Sequence, residues 1–173
     1  MTETVQPPQT GPLSTPFAKQ ATMIANSPTY QARVGVTDDP NAADRCLEKI
    51  RWPVLEPGED VRNFFPAIVL VMEDRFQFAE VSGGGQNYLR PSGSIGLLIA
   101  EKTAFDGSRR AGFIDILNYI GGLLSDLAAV AGQSSQLSIV GIRQVIPPGL
   151  CSLAEEASGP GPYFEAAYAV DWN

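Results

Sequence analysis

The sequence predicts an α+β fold: a mostly antiparallel sheet with helices packed on one face, a long β-hairpin and a C-terminal strand. Three observations lead there. The β-rich segments "FFPAIVLVME", "RFQFAEV" and "GSIGLLIAEK" follow one another closely, with the glycine-rich "SGGGQN" between the last two, which reads as a hairpin. The stretch "DGSRRAGFIDILNYIGGLLSDLAAVAGQ" carries apolar residues every three or four positions, the signature of an amphipathic helix. The segment "YFEAAYAVDWN" alternates strictly through Phe164, Ala166, Tyr168, Val170 and Trp172, the period of a half-buried strand. Hairpin strands and a terminal hairpin together imply the antiparallel sheet.

Each element has its own reason. Residues 1–15 are rich in Pro, Thr and Gln without periodicity and read as a flexible N-terminal arm. Residues 16–173 read as one domain. Thr15 is expected to cap a helix with Pro16 in its first turn. Phe17, Ala21, Ile24 and Ala25 share its face, and Ser27-Pro28 stops it. "YQARVGV" reads as a short extended stretch. Asp39 and Pro40 then open a second helix whose face is Ala43, Cys46, Leu47 and Ile50, and Pro53 ends it. "IRWPVLEPGED" reads as an extended piece closing in a Pro-Gly turn.

Ala67–Met72 is apolar on both faces, which suits a central strand covered on both sides. "RFQFAEV" alternates through Phe76 and Phe78, and Ile95, Leu97 and Ile99 share one face of the return strand. The span from Val81 to Gly93 is then the mobile end of a long hairpin. The long helix is expected to bury Phe113, Ile116, Leu117, Ile120, Leu124, Leu127 and Val130, and to end at Gly132. Gly121-Gly122 weaken it by about 1 kcal/mol each relative to Ala and allow close packing. "LSIVGIRQVIPP" reads as a strand ended by Pro147-Pro148. A Gly/Pro/Ser/Glu loop, Gly149–Pro162, leads to the closing strand.

Composition narrows function. The chain of 173 residues is 44% apolar, enough for a core and against disorder. Charged residues are only 18%, below the usual quarter or so. Either the surface is rich in Ser, Thr, Gln and Asn, or neighbouring subunits cover part of it. The net charge is −7, with Arg109-Arg110 the only adjacent basic pair, which argues against a nucleic-acid or anionic-membrane binder. No stretch nears ~20 continuous apolar residues, so no transmembrane helix is expected. The start "MTETVQPPQTGPLSTP" lacks the pattern of a secretory signal.

A search for chemistry finds little. The chain has no His, which excludes Ser-His-Asp and Cys-His arrangements and makes a zinc site implausible. Cys46 and Cys151 have no ligand spacing and read as reduced thiols of an intracellular protein. No nucleotide-binding glycine motif is present, and "SGGGQN" is not followed by a helix start. Asp38-Asp39 suit helix capping, Glu73-Asp74 a turn, and Glu155-Glu156 a loop able at most to hold a cation. Cys151 has no base beside it. Trp52 and Trp172 suit core or interface anchors. No catalytic, cofactor-binding or metal residue is expected, which leaves a structural or interaction protein.

The order of these elements resembles the tail terminator (tail-completion) proteins of long-tailed bacteriophages. The resemblance lies in the helix ending in "IANSPTYQARVG", the strand "FFPAIVLVME", the return strand "SGSIGLLIAEK", the helix "GFIDILNYIGGLLSDL", the strand "LSIVGIRQV" and a last strand ending in "YAVDWN". It covers roughly residues 16–173 and departs in the Pro-rich start and the loop Gly149–Pro162. That resemblance implies a non-enzymatic virion protein, assembled in the bacterial cytoplasm. It implies a homohexameric ring at the head-proximal end of the tail tube that ends polymerisation and offers a surface to the head–tail connector. DNA would pass its acidic lumen without specific binding. Candidate contact residues are Gln86, Asn87, Tyr88 and Arg90 on the hairpin, with Arg109 and Arg110. Trp172 is the expected anchor of the closing strand. The alternatives are another neck, head-completion or connector component, or a small-ligand binding module.

Overall fold

In a computed structural model, the structure describes residues 14–51, 65–72, 77–83, 86–102, 109–131, 139–151 and 163–173. The chain folds as α+β; the described residues form four helices and a six-stranded, mostly antiparallel sheet. Helix α1 spans Ser14–Ala25 and buries Phe17, Gln20, Ala21, Ile24 and Ala25. It starts one residue before the expected cap, so Thr15 lies inside it; residues 1–13, the rest of the expected arm, lie outside the described part.

"YQARVGV" is not extended. Its residues Tyr30–Val34 belong to helix α2, Pro28–Val34. Ser27 sits in extended backbone and its Oγ accepts from the Tyr30 N–H at 3.1 Å. Pro28 in the first turn completes a start signal. Gly35 closes the helix at φ 80, a left-handed conformation that glycine adopts without strain. Ser27-Pro28 therefore ends one helix by beginning another.

Helix α3, Ala42–Leu47, is shorter than expected. Asp39 does not cap it as Ncap: its carboxylate accepts from the Asn41 N–H at 2.8 Å, and Asn41 holds the cap position. The buried face is Ala42 and Cys46; Leu47 is exposed, and Ile50 belongs to strand β1, Ile50–Arg51.

Strands β2 (Ala67–Met72), β3 (Gln77–Gly83), β4 (Gln86–Lys102), β5 (Ile139–Cys151) and β6 (Tyr163–Trp172) complete the sheet. The order is β1-β2-β4-β6-β5, with β3 paired to β4. Only β1–β2 is parallel. The closing strand β6 is thus central, flanked by β4 and β5. Register carries each core row across the sheet: Leu70, Leu97 and Tyr168 align, as do Ile68, Ile99 and Ala166. These residues join the helices in one apolar cluster. Full burial of each large side chain contributes about 1.5–3 kcal/mol.

The opposite face of the sheet is aliphatic and only partly covered: Ala169 is buried, Val69, Leu98 and Ala167 are half-buried, and its margins are open. Val69, Leu98, Ala167 and Ile146 form one row, and Val71, Gly96, Ala169 and Arg143 the next. Val71 and Ile146 are exposed. The expectation that Ala67–Met72 is covered on both sides is therefore corrected: only one face of β2 meets the helices.

Strand β5 runs through Pro147-Pro148 to Cys151 rather than stopping there. Its register against β6 shifts between Gln144 and Ile146 and between Ile146 and Gly149. Proline lacks an N–H, which an edge strand with bulges tolerates.

Helix α4, Arg109–Ala131, buries Ile116, Tyr119, Ile120, Leu123 and Leu127. Phe113, Leu117 and Val130, expected in the core, are exposed, and Leu124 is only partly buried. The segment Gly112–Val130 is long and apolar enough, by length and composition alone, to cross a membrane. Its carboxylates are bonded within the fold, Asp115 to Arg33 and Asp126 to Ser27 and Thr29. The Pro-Gly turn, the Glu73-Asp74 turn, Gly132 and Glu155-Glu156 lie outside the described residues.

Candidate functional site

The most distinctive part of the molecule is the upper half of the hairpin. Residues Gly93–Lys102 of β4 pair with β6, and Ala67–Met72 pair with Ile95–Ala100. Beyond that, Gln86–Ser92 pair only with β3. The partners run from Met72↔Ile95 to Gln77↔Ser92. β3 thus pairs with the part of β4 that lies beyond the segment paired with β2. The result is a two-stranded ribbon of seven residue pairs standing beyond the sheet, about 24 Å long at 3.4 Å per residue. Among the described residues, no strand pairs with its outer edges.

The candidate contact residues fall on this ribbon. Gln86, Asn87, Tyr88 and Arg90 sit opposite Gly83, Ser82, Val81 and Ala79. They are strand residues in register, not parts of a loose tip; pairing leaves only residues 84–85 between the strands. Arg109 and Arg110 are elsewhere, in the first turn of α4. Trp172 is buried at the base of the ribbon: it pairs with Gly93, and its indole donates to Gln20 Oε1 at 2.8 Å. Lys19 Nζ lies 5.7 Å from its ring centre.

Near that base the partly open sheet face carries a polar group. Asp171 accepts from Ser94 Oγ, and Arg143 Nε stands 3.7 Å from the same carboxylate. Such a part-exposed pair contributes little stability. It marks a polar spot on an otherwise aliphatic face.

A second polar cluster was not foreseen from the sequence. Arg33 of α2 holds Glu101 of β4 with two hydrogen bonds and reaches Asp115 of α4 at 2.6 Å. Its guanidinium also lies 5.2 Å from the Tyr119 ring centre. The bond to Glu101 foremost holds the Arg33 pKa above its ordinary value. Burial pushes the Tyr30 and Tyr119 phenols up and raises the Cys46 thiol, so all three stay protonated. Those are poor conditions for a nucleophile. The cluster ties three elements together, and its members lie 68 and 82 residues apart, where no spacing rule applies.

A groove of about 620 Å³ lies between α1 and the end of α4, lined by residues including Lys19, Thr22, Asn26, Asp126 and Val130. Its polar groups are largely spent inside the fold. Thr22 Oγ1 donates to Ala18 O, Asn26 Nδ2 to Thr22 O, and Ser27 Oγ to Asp126. A ligand pocket instead turns convergent polar groups toward its occupant. Among the described residues, no cluster of three or more Asp, Glu or Cys is placed to hold a metal.

Comparison with protein-family models gives no match, and comparison with curated proteins gives none either.

Proposed function

We propose that this chain is a structural protein of a long-tailed bacteriophage. It forms a ring, hexameric by the resemblance, at the head-proximal end of the tail tube. There it ends tube polymerisation and presents the joining surface for the head–tail connector. Its partners are copies of itself, the tube protein and the connector protein.

The ribbon Gln77–Gly83/Gln86–Ser92 carries this reading. An isolated two-stranded ribbon is marginal in water, and free strand edges invite pairing with another chain. A ribbon projecting from one subunit toward a different surface of the next is a heterologous contact, the kind that closes into rings. The partly open aliphatic sheet face gives such a neighbour apolar surface to cover, and the low charged fraction agrees with it. The net charge of −7 suits a lumen that passes DNA without holding it.

Electron microscopy of particles assembled without this protein tests the reading. Over-long tails, or tails unable to join filled heads, are expected. Normal tails beside leaking heads would move the protein to another neck component. Normal infectious particles would overturn both.

A further inference from the structure

The ribbon is exposed on both of its faces. Gln77, Phe78, Ala79, Glu80 and Ser82 of β3 are all exposed, and successive residues of a strand point to opposite sides. Phe78 and Glu80 are two residues apart and so share one face. An aromatic ring and a carboxylate stand there about 7 Å from each other along the strand.

Strand β5 carries a surface that matches. Val140, Val145 and Ile146 are 62%, 49% and 41% exposed, the first being the highest value among the described large apolar residues. Arg143 stands among them with 53% of its side chain exposed. Arg143 and Ile146 pair with Ala169 and Ala167 of β6, which are two residues apart. They therefore lie on one face at the same spacing of about 7 Å. The backbone edge of β5 is poorly suited to accept a further strand. Its register shifts at three places, and Pro147 and Pro148 bring no N–H. What β5 offers a partner is its side chains.

We propose that, in the ring, the Phe78–Glu80 face of one subunit's ribbon lies on β5 of the next subunit. Phe78 meets Val145 and Ile146, and Glu80 faces Arg143. This contact deepens the ring reading and rests on it. Charge selects the occupant. The chain carries a net charge of −7, so its copies repel one another on average. A contact between copies gains where a cation of one meets an anion of the other. Within its own subunit Arg143 already stands 3.7 Å from Asp171 and 3.5 Å from Ser94 Oγ. A guanidinium has five N–H donors, and Arg33 of this same chain holds Glu101 and Asp115 at once. The ribbon and β5 are different surfaces of the subunit. The contact is therefore heterologous and leaves each copy with one ribbon to give and one β5 to offer, as a closed ring needs.

Photocross-linking on the full chain tests it. p-Benzoylphenylalanine in place of Phe78 sets a photoreactive ring at the contact, and mixing with parent chain labelled with nitrogen-15 tells links between copies from links within one. After irradiation of assembled rings, mass spectrometry is expected to find position 78 joined to the labelled stretch Val140–Ile146. Glu80→Arg should weaken ring assembly at least about tenfold with an unchanged melting temperature. Links from assembled rings that fall elsewhere on the labelled chain, or on another protein of the particle, overturn this contact and leave the ring reading standing. A Glu80→Arg chain that assembles like its parent does the same. A chain that forms no ring, alone or in particles, overturns the ring reading and this contact together.

Discussion

The indole N–H of Trp172 donates to Gln20 Oε1 at 2.8 Å across a sequence separation of 152, and both side chains are buried. One bond thus fastens the closing strand β6 to the first helix α1. Gln20 Nε2 has no hydrogen-bond partner, so the amide is held by one of its two ends.

Trp172→Ala should cost about 3–5 kcal/mol, the usual range for emptying a buried aromatic site. Gln20→Leu should cost about 1–3 kcal/mol, because it strands the indole N–H. Trp172→Phe combined with Gln20→Leu should cost less than Trp172→Phe alone and Gln20→Leu alone added together, since no polar atom of the pair is then left buried alone. Urea denaturation of the four proteins of the cycle measures the coupling.

The glycine pair of α4 separates helix propensity from packing. A Cβ on Gly122 would lie 2.9 Å from Thr29 Cγ2 and Oγ1, whereas one on Gly121 has open space. Gly121→Ala should stabilise the monomer by about 0.5–1 kcal/mol. Gly122→Ala should destabilise it despite the same propensity gain, because α2 or the short Thr29 side chain must give way. Adding Thr29→Ala should recover part of the loss. Thermal unfolding at low protein concentration reads all three.

Asp126 should shape the acid limb of stability. Burial alone would raise its pKa, but hydrogen bonds from Ser27 and Thr29 outweigh that and hold it below the ordinary carboxylate value. A carboxylate depressed in the folded state stabilises at pH above its unfolded pKa. That contribution is lost as pH falls through the folded pKa. Asp126→Asn should therefore lower the melting temperature at pH 7, and the gap to the parent protein should shrink below about pH 4. A gap constant from pH 7 to pH 3 would refute this role. Ser27→Ala, which removes the α2 cap, should cost about 1 kcal/mol.

The ribbon offers a change that separates folding from assembly. Phe78 in β3 is 38% exposed. Phe78→Asp should cost less than about 1 kcal/mol in the isolated chain, as changes away from the core do. It should nonetheless abolish ring formation, read by electron microscopy and by light scattering. Rings that form normally from this variant would count against the ribbon as the joining element.

Much of the fold was legible because period is a strong signal. β6 and the strand around Ile95–Ile99 alternate cleanly, and one face of each is buried. α4 was placed correctly but its buried stripe was not. The helix is apolar around much of its circumference, so spacing alone did not choose between Leu117 and Leu123. α2 was missed because seven residues are too few for a period, and Ser27-Pro28 reads as a stop as readily as a start. Pro147-Pro148 misled because a sequence does not say that its strand lies at an edge. The ribbon residues were legible as a hairpin, but nothing local shows that β6 stops at Gly93 and leaves Gln86–Ser92 with a single partner. The Arg33–Glu101–Asp115 cluster depends on tertiary placement alone.

Strand β6 is made after both of its neighbours, β4 and β5, and sits between them. During synthesis, β5 has no described partner until Tyr163–Trp172 arrive. Until then the hairpin half of the sheet ends at an open β4 edge. The nascent chain therefore carries two unzipped borders, and one insertion closes both. Because β4 and β6 residues meet across roughly 60–80 positions, that closure is a high-contact-order event and a slow one. Newly made chains should accordingly be most vulnerable to aggregation, and most dependent on chaperones, in the interval before β6 docks.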